Sequence, residues 1–158
     1  MIGCIIQARM GSTRLPGKAM LSVENNKTVL DFVIKQLQNC KLVDKIIVAT
    51  TTLEDDNKIA NFSKDSGIDC FRGSSDNVLD RYYQCAKEYS VSTIVRIPSD
   101  KPLIDPGIVD NVVSMFMNSS YDYITNFLPN PTFPSGTEVE VFSINALKKA
   151  WKKAKLPS

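Results

Sequence analysis

Three cations stand close together near the start of the chain: Arg9, Arg14 and Lys18, five and four residues apart, with Gly11, Ser12, Thr13 and Gly17 between them. Arginine offers a planar fork of donors and lysine a point charge, and both suit phosphate oxygens. Glycine lets a backbone approach a ligand and present its N–H groups. A polyphosphate is the ligand these residues predict. The loop is not a Walker A loop, because five residues rather than four separate Gly11 from Gly17, and Ala19 stands where a metal-binding Ser or Thr is needed. No G-x-G-x-x-G follows the apolar run before it, so the dinucleotide fingerprint is absent too. Asp100, between Pro98 and Pro102, is the candidate Mg2+ ligand. That ion takes one or two carboxylates together with phosphate oxygens and water. Glu138 and Glu140 share one face of an alternating stretch and are candidates for substrate contact. The chain contains no histidine, which removes Ser-His-Asp and Cys-His chemistry. Catalysis must rest on carboxylates, cations, backbone dipoles or an oxygen-held metal.

At 158 residues the chain is read as one domain, long enough to bury a core. A net charge of +2 is too small for a nucleic-acid binder. The lysines at 148, 149, 152, 153 and 155 read as the solvated face of a terminal helix. Cys4, Cys40, Cys70 and Cys85 form no C-x-x-C, so neither a zinc site nor a disulfide framework is expected, and Cys4 belongs to the core. Free thiols and the lack of a signal peptide predict a cytoplasmic protein. The N-terminal apolar run is too short to span a membrane.

The elements that must position these residues follow from periodicity. Continuous apolar runs at 2–6, 45–51, 68–71 and 93–97 read as parallel strands covered on both faces. Helices are expected from a Thr28 cap to 39, over 55–66, over 78–89 behind a Ser75 or Asp76 cap, from Asp105-Pro106 to 117, and from Ser143 to 153. Residues 121–125 and 138–142 read as further strands, joined by a proline-containing loop. The result is an α/β fold with a mainly parallel sheet and flanking helices. Ligands of such sheets bind beyond the carboxyl ends of the strands. The first loop, residues 50–52, 72–74 and 98–100 all follow strands and are therefore expected to converge.

The motifs I-I-Q-A-R-M-G-S-T-R-L-P-G-K at 5–18, F-R-G-S-S-D-N-V-L-D-R-Y-Y at 71–83, V-R-I-P-S-D-K-P-L-I-D-P at 95–106 and E-V-E-V-F-S at 138–143 resemble one family. It is the cytidylyltransferase family of spore coat polysaccharide biosynthesis protein F-like proteins, similar to the CMP-sialate and CMP-Kdo synthetases. The resemblance implies a nucleotide-diphospho-sugar transferase (GT-A-like) fold, CTP as co-substrate and Mg2+ as cofactor. It implies a reaction in which a sugar or sugar-acid hydroxyl attacks the α-phosphate of CTP, giving a CMP derivative and pyrophosphate for surface polysaccharide synthesis. Ala8, Arg9, Gly11, Ser12, Arg14 and Lys18 would hold the nucleotide, with Arg14 and Lys18 on the triphosphate. Arg72 and Ser99 would lie near base or ribose, and Asp100 would bind the metal. A homodimer fits the resemblance; nucleic-acid and membrane partners do not. Family members read G-D-C-P where this chain has Ser99-Asp100-Lys101-Pro102, and they carry an arginine and an aspartate where it has Ser135 and Glu138. They also continue past the point where this chain stops, so it reads as a C-terminally truncated nucleotidyltransferase domain. Two alternatives stay open: a CTP-binding fragment without catalysis, and a GT-A glycosyltransferase, for which Pro102 spoils the expected D-x-D.

Overall fold

The sheet grows outward from the first apolar run. Residues Ile2–Gln7 form β1, and Cys4, Ile5 and Ile6 in it are wholly buried. The computed structural model describes residues 1–154 except 13 and 132. After the first loop and a short 3-10 turn at Lys18–Met20, a small hairpin follows, β2 (Ser22–Glu24) and β3 (Lys27–Thr28). Helix α1 (Val29–Leu37) comes next, with the Thr28 hydroxyl accepting from Asp31 N–H as the expected cap. Then come β4 (Lys45–Thr51), α2 (Asn57–Asp65), β5 (Asp69–Gly73), α3 (Val78–Glu88) and β6 (Thr93–Pro98). The chain ends with α4 (Pro106–Met117), β7 (Tyr123–Thr125), β8 (Glu140–Ser143) and α5 (Ile144–Lys153).

The six-stranded sheet has the order β5-β4-β1-β6-β8-β7. β5, β4, β1 and β6 are parallel, and β8 runs antiparallel between β6 and β7. Alternation along each strand sends side chains to two cores. Cys4, Ile6, Val48 and Val95 face α1, α2 and α4, whereas Ile5, Ile47, Ala49 and Ile94 face α3 and α5. Strand order reverses at β1: the chain runs outward through β4 and β5, then returns to place β6 on the other side. Such a switch point leaves a crevice between the carboxyl ends of two neighbouring strands, here β1 and β6.

Four local expectations change. The β2–β3 hairpin was not anticipated; Asn25 and Asn26, both in the left-handed region (φ 49° and 61°), make its turn. The cap of α3 is Asn77, whose side chain accepts from Asp80 N–H, rather than Ser75 or Asp76. The helix expected from 55 begins at 57 behind a 3-10 turn at Glu54–Asp56. The last strand begins at Glu140, so Glu138 and Glu140 do not share a strand face. The proline-containing loop is ordered by Asn126, which donates to the Thr137 carbonyl and accepts from Val139 N–H. The terminal lysines through 153 lie exposed on α5, as expected; Lys155 falls outside the described residues.

Candidate active site

The crevice at the switch point holds a cavity of about 230 Å³. Its floor is the end of β1, where Ala8 N–H donates to the Ala49 carbonyl on one side and Gln7 carbonyl accepts from Ser99 N–H on the other. Arg9, Ser12, Arg14 and Lys18 line it from the first loop, and Ser99 and Asp100 from the loop after β6. Lys18 Nζ lies 2.5 Å from Asp100 Oδ2, an ion pair between residues 82 apart in sequence. Both side chains stay about one-third exposed, so the pair sits at a wet mouth and contributes little to stability. Arg9 and Arg14 are exposed beside it.

A buried carboxylate shapes the first loop. Asp56 is 2% exposed; its Oδ1 accepts Met10 N–H at 2.6 Å and its Oδ2 accepts the Thr51 hydroxyl. This ties the loop to the end of β4. The turn closes where Gly17 N–H donates to the Met10 carbonyl, and Gly17 there has φ 73°, which glycine adopts without strain.

The expected convergence is partial. Residues 50–52 and 72–74 do not line the crevice; they brace each other. Arg72 donates Nε to Thr51 carbonyl, Nη2 to Leu53 carbonyl and Nη1 to Asn57 Oδ1, so each nitrogen of its guanidinium is engaged away from the cavity. Gly11 is exposed on the first loop and is not among the lining residues. Lys101 turns away from Asp100 and pairs with Glu138 at 2.5 Å. Glu138 also accepts Gly136 N–H, and these contacts, the Lys101 bond foremost, hold its carboxyl down to about 2. Glu140 instead pairs with Arg96, which is shared with Gln7. Glu140 and Arg96 line a second cavity of about 380 Å³ that shares Val78 with the first. All four cysteines are free, and burial raises each thiol, Cys40 and Cys85 to about 12, so none is a poised nucleophile.

One charged lining residue escaped the sequence reading. Arg81, on α3, is 1% exposed yet reaches the crevice wall. Its Nη1 donates to Ser74 carbonyl at 2.6 Å and its Nε is buried without a partner. It makes no ion pair among the described residues. The sequence signal was the arginine inside a helix whose neighbours Leu79 and Tyr82 point inward.

Asp100 is the only carboxylate lining the crevice among the described residues, and no group of three or more metal-ligating acids, cysteines or histidines exists among them. This donor set fits a Mg2+ that arrives with phosphate oxygens, and does not fit a closed protein cage.

The mainly parallel sheet, with its cation-lined crevice at the switch point, has the nucleotidyltransferase fold. Comparison with known proteins gives the particular family. The cytidylyltransferase family profile matches residues 3–157, and the chain belongs to that family. It is 34% identical over 149 residues to spore coat polysaccharide biosynthesis protein SpsF of Bacillus subtilis, covering 90% of this chain and 59% of that one. It is 34% identical over 120 residues to the 3-deoxy-manno-octulosonate cytidylyltransferase of Trichlorobacter lovleyi, covering 75% and 46%. A solved cytidylyltransferase from Leptospira borgpetersenii superposes with a TM-score of 0.92 at 37% identity, covering 98% of this chain and 65% of that one. The chain thus spans about half to two-thirds of the length of these relatives. No helix among the described residues is long and apolar enough to cross a membrane.

Proposed function

We propose that this chain carries the nucleotide site of a CTP-dependent cytidylyltransferase that activates a sugar or sugar acid as its CMP derivative. The Lys18–Asp100 pair carries the reading, because it sets a cation and a carboxylate side by side at the mouth of a switch-point crevice. Arg14 and Lys18 neutralise the triphosphate, Arg9 and Ser12 line its path, and Ser99 faces the ribose. Asp100 would hold Mg2+, which would supply positive charge to the phosphates and so lower the repulsion that the attacking hydroxyl meets. The sugar oxygen forms a bond to the α-phosphorus, the bond from that phosphorus to the bridging oxygen breaks, pyrophosphate leaves, and the hydroxyl proton passes to solvent water. Such transfer depends on positioning and charge neutralisation, which suits a chain without histidine. The acceptor belongs in the adjoining cavity beside Glu140, while Glu138, paired with Lys101, lies outside that lining. The names of the two curated relatives, one in polysaccharide synthesis and one acting on a sugar acid, support this acceptor class.

The test is calorimetric titration with CTP and ATP, each with and without Mg2+, beside Asp100→Ala. CTP is expected to bind selectively, with the Mg2+-dependent part lost in the variant. Pyrophosphate release with candidate sugar acids follows. If neither nucleotide binds, the reading fails.

A further inference from the structure

The second cavity lies between α3 and α5, over strands β6, β8 and β7. Its volume of about 380 Å³ is that of a small-molecule pocket. Leu79, Phe142, Ala146 and Leu147 make its walls largely apolar. The Tyr123 and Phe142 rings lie stacked along one side, their centroids 6.2 Å apart. Two charged residues line it, Arg96 and Glu140, and no other does among the described residues.

The Arg96 charge is already matched inside the protein. Its Nη1 donates to Glu140, and its Nε and Nη2 donate to Gln7 Oε1. Its guanidinium carbon stands 5.9 Å from the centre of the Tyr82 ring. Each nitrogen of the fork is therefore engaged, and the lining carries one cation against one anion. Gln7 also lines the crevice, so the polar floor of the second cavity adjoins the nucleotide side. The remaining polar group is the Tyr123 phenol. Burial foremost, and then the Glu140 charge, raise its pKa, so it stays a neutral donor.

This charge balance discriminates between acceptors. A ligand carboxylate here would meet Glu140 with no unmatched cation to offset it, and a desolvated charge without a partner is costly. Sugar hydroxyls carry no such penalty, because a carboxylate accepts from them and a phenol donates to them. The apolar walls favour a ligand with carbon, rather than a charged or hydroxylated group, along one side.

Resting on the acceptor placement proposed above, we infer that the acceptor is an uncharged sugar with an apolar edge, such as a deoxy carbon, and not a sugar acid. Glu140 accepts from its hydroxyls, and its apolar edge lies along Phe142 and Leu147.

The experiment uses sugars that differ only at C6: glucose, 6-deoxyglucose and glucuronate, with the galactose and mannose counterparts of each. Dissociation constants are read by NMR titration with CTP present and Mg2+ withheld, which prevents turnover. In at least one series the 6-deoxy sugar should bind best. The uronate should bind roughly ten- to a hundredfold more weakly, the range for a buried group left unmatched. Ala150→Trp, at an exposed position on the cavity lining, should abolish sugar binding and leave CTP affinity unchanged. Glu140→Gln removes the charge partner of Arg96 and should turn the preference toward the uronate. The inference is overturned if in every series the uronate or the parent hexose binds as tightly as the 6-deoxy sugar, or if none of these sugars binds. It is also overturned if Ala150→Trp still binds sugar, or if folded Glu140→Gln keeps the wild-type ranking. Failure of the wild type to bind CTP would instead refute the parent reading.

Discussion

Replacing Asp56 with alanine tests the buried contact that ties the first loop to the end of β4. Asp56 lies 46 residues from Met10 and joins two structures that the sequence does not connect. The side chain is 2% exposed, and it accepts a backbone N–H of the first loop at 2.6 Å together with the buried Thr51 hydroxyl. A hydrogen bond to a charged acceptor contributes about 1.5–3 kcal/mol, and leaving a buried donor unmatched costs a similar amount. Thr51 is itself buried, so the expected loss is about 3–5 kcal/mol. That is a large share of the 5–15 kcal/mol typical of a domain. Asp56→Asn keeps the shape and one acceptor and should lose only about 1–2 kcal/mol. The assay is urea unfolding followed through far-UV circular dichroism, at constant m-value. Adding Thr51→Val closes a double-mutant cycle whose coupling should exceed about 1 kcal/mol. A loss below about 1 kcal/mol for Asp56→Ala, with the same m-value, would show that the loop is held by something else.

The Lys101–Glu138 pair gives a pH dependence. The Glu138 carboxyl is held from 4.5 down to about 2, so its stabilisation is complete above about 4.5 and fades as pH falls toward 2. The unfolding midpoints of wild type and Glu138→Gln should differ at neutral pH and converge in acid. Arg72→Ala should destabilise by about 1–3 kcal/mol, since three donors tie the 51–57 turn, while changing CTP affinity less than about threefold. Thermal unfolding and calorimetry on the same variant separate the two. Gly3→Ala should cost about 1–3 kcal/mol in the same denaturation assay, because a Cβ there would meet Val91 Cγ2 at 2.6 Å.

The strands were legible because parallel strands covered on both faces are apolar throughout, and 45–51 is a strand from end to end. The Thr28, Asp105 and Ser143 caps were legible because a hydroxyl or carboxylate precedes each helical pattern. The hairpin was not read, although Asn25-Asn26 was its signal, because two- and three-residue strands carry too few apolar positions to show a period. The cap of α3 lay among four polar residues in a row, and only backbone geometry chose Asn77. In the site, the first loop and Asp100 could be brought together by the rule that ligands gather at strand ends. The pairing of Lys101 with Glu138 and of Arg72 with the 51–57 turn could not, since side-chain partners across 37 and 21 residues leave no local trace. Arg81 was hidden for a different reason: on a helix, periodicity predicts which apolar residues turn inward and assigns charged ones to water.

The switch point also sets the order in which the molecule becomes competent. β1 acquires β4 as a neighbour early in the chain, through a local crossover, but the opposite wall of the crevice waits for β6, whose Thr93 pairs with Ile2. Closing so long a loop is slow compared with forming the β1–β4 unit. During synthesis the first loop is therefore made long before the aspartate that completes the site. The nucleotide of the proposed function would have a complete seat only on the finished sheet, stabilising it by about 2.7 kcal/mol at a hundredfold excess over its dissociation constant. Such a nucleotide would selectively protect correctly closed chains from proteolysis and leave half-assembled ones exposed.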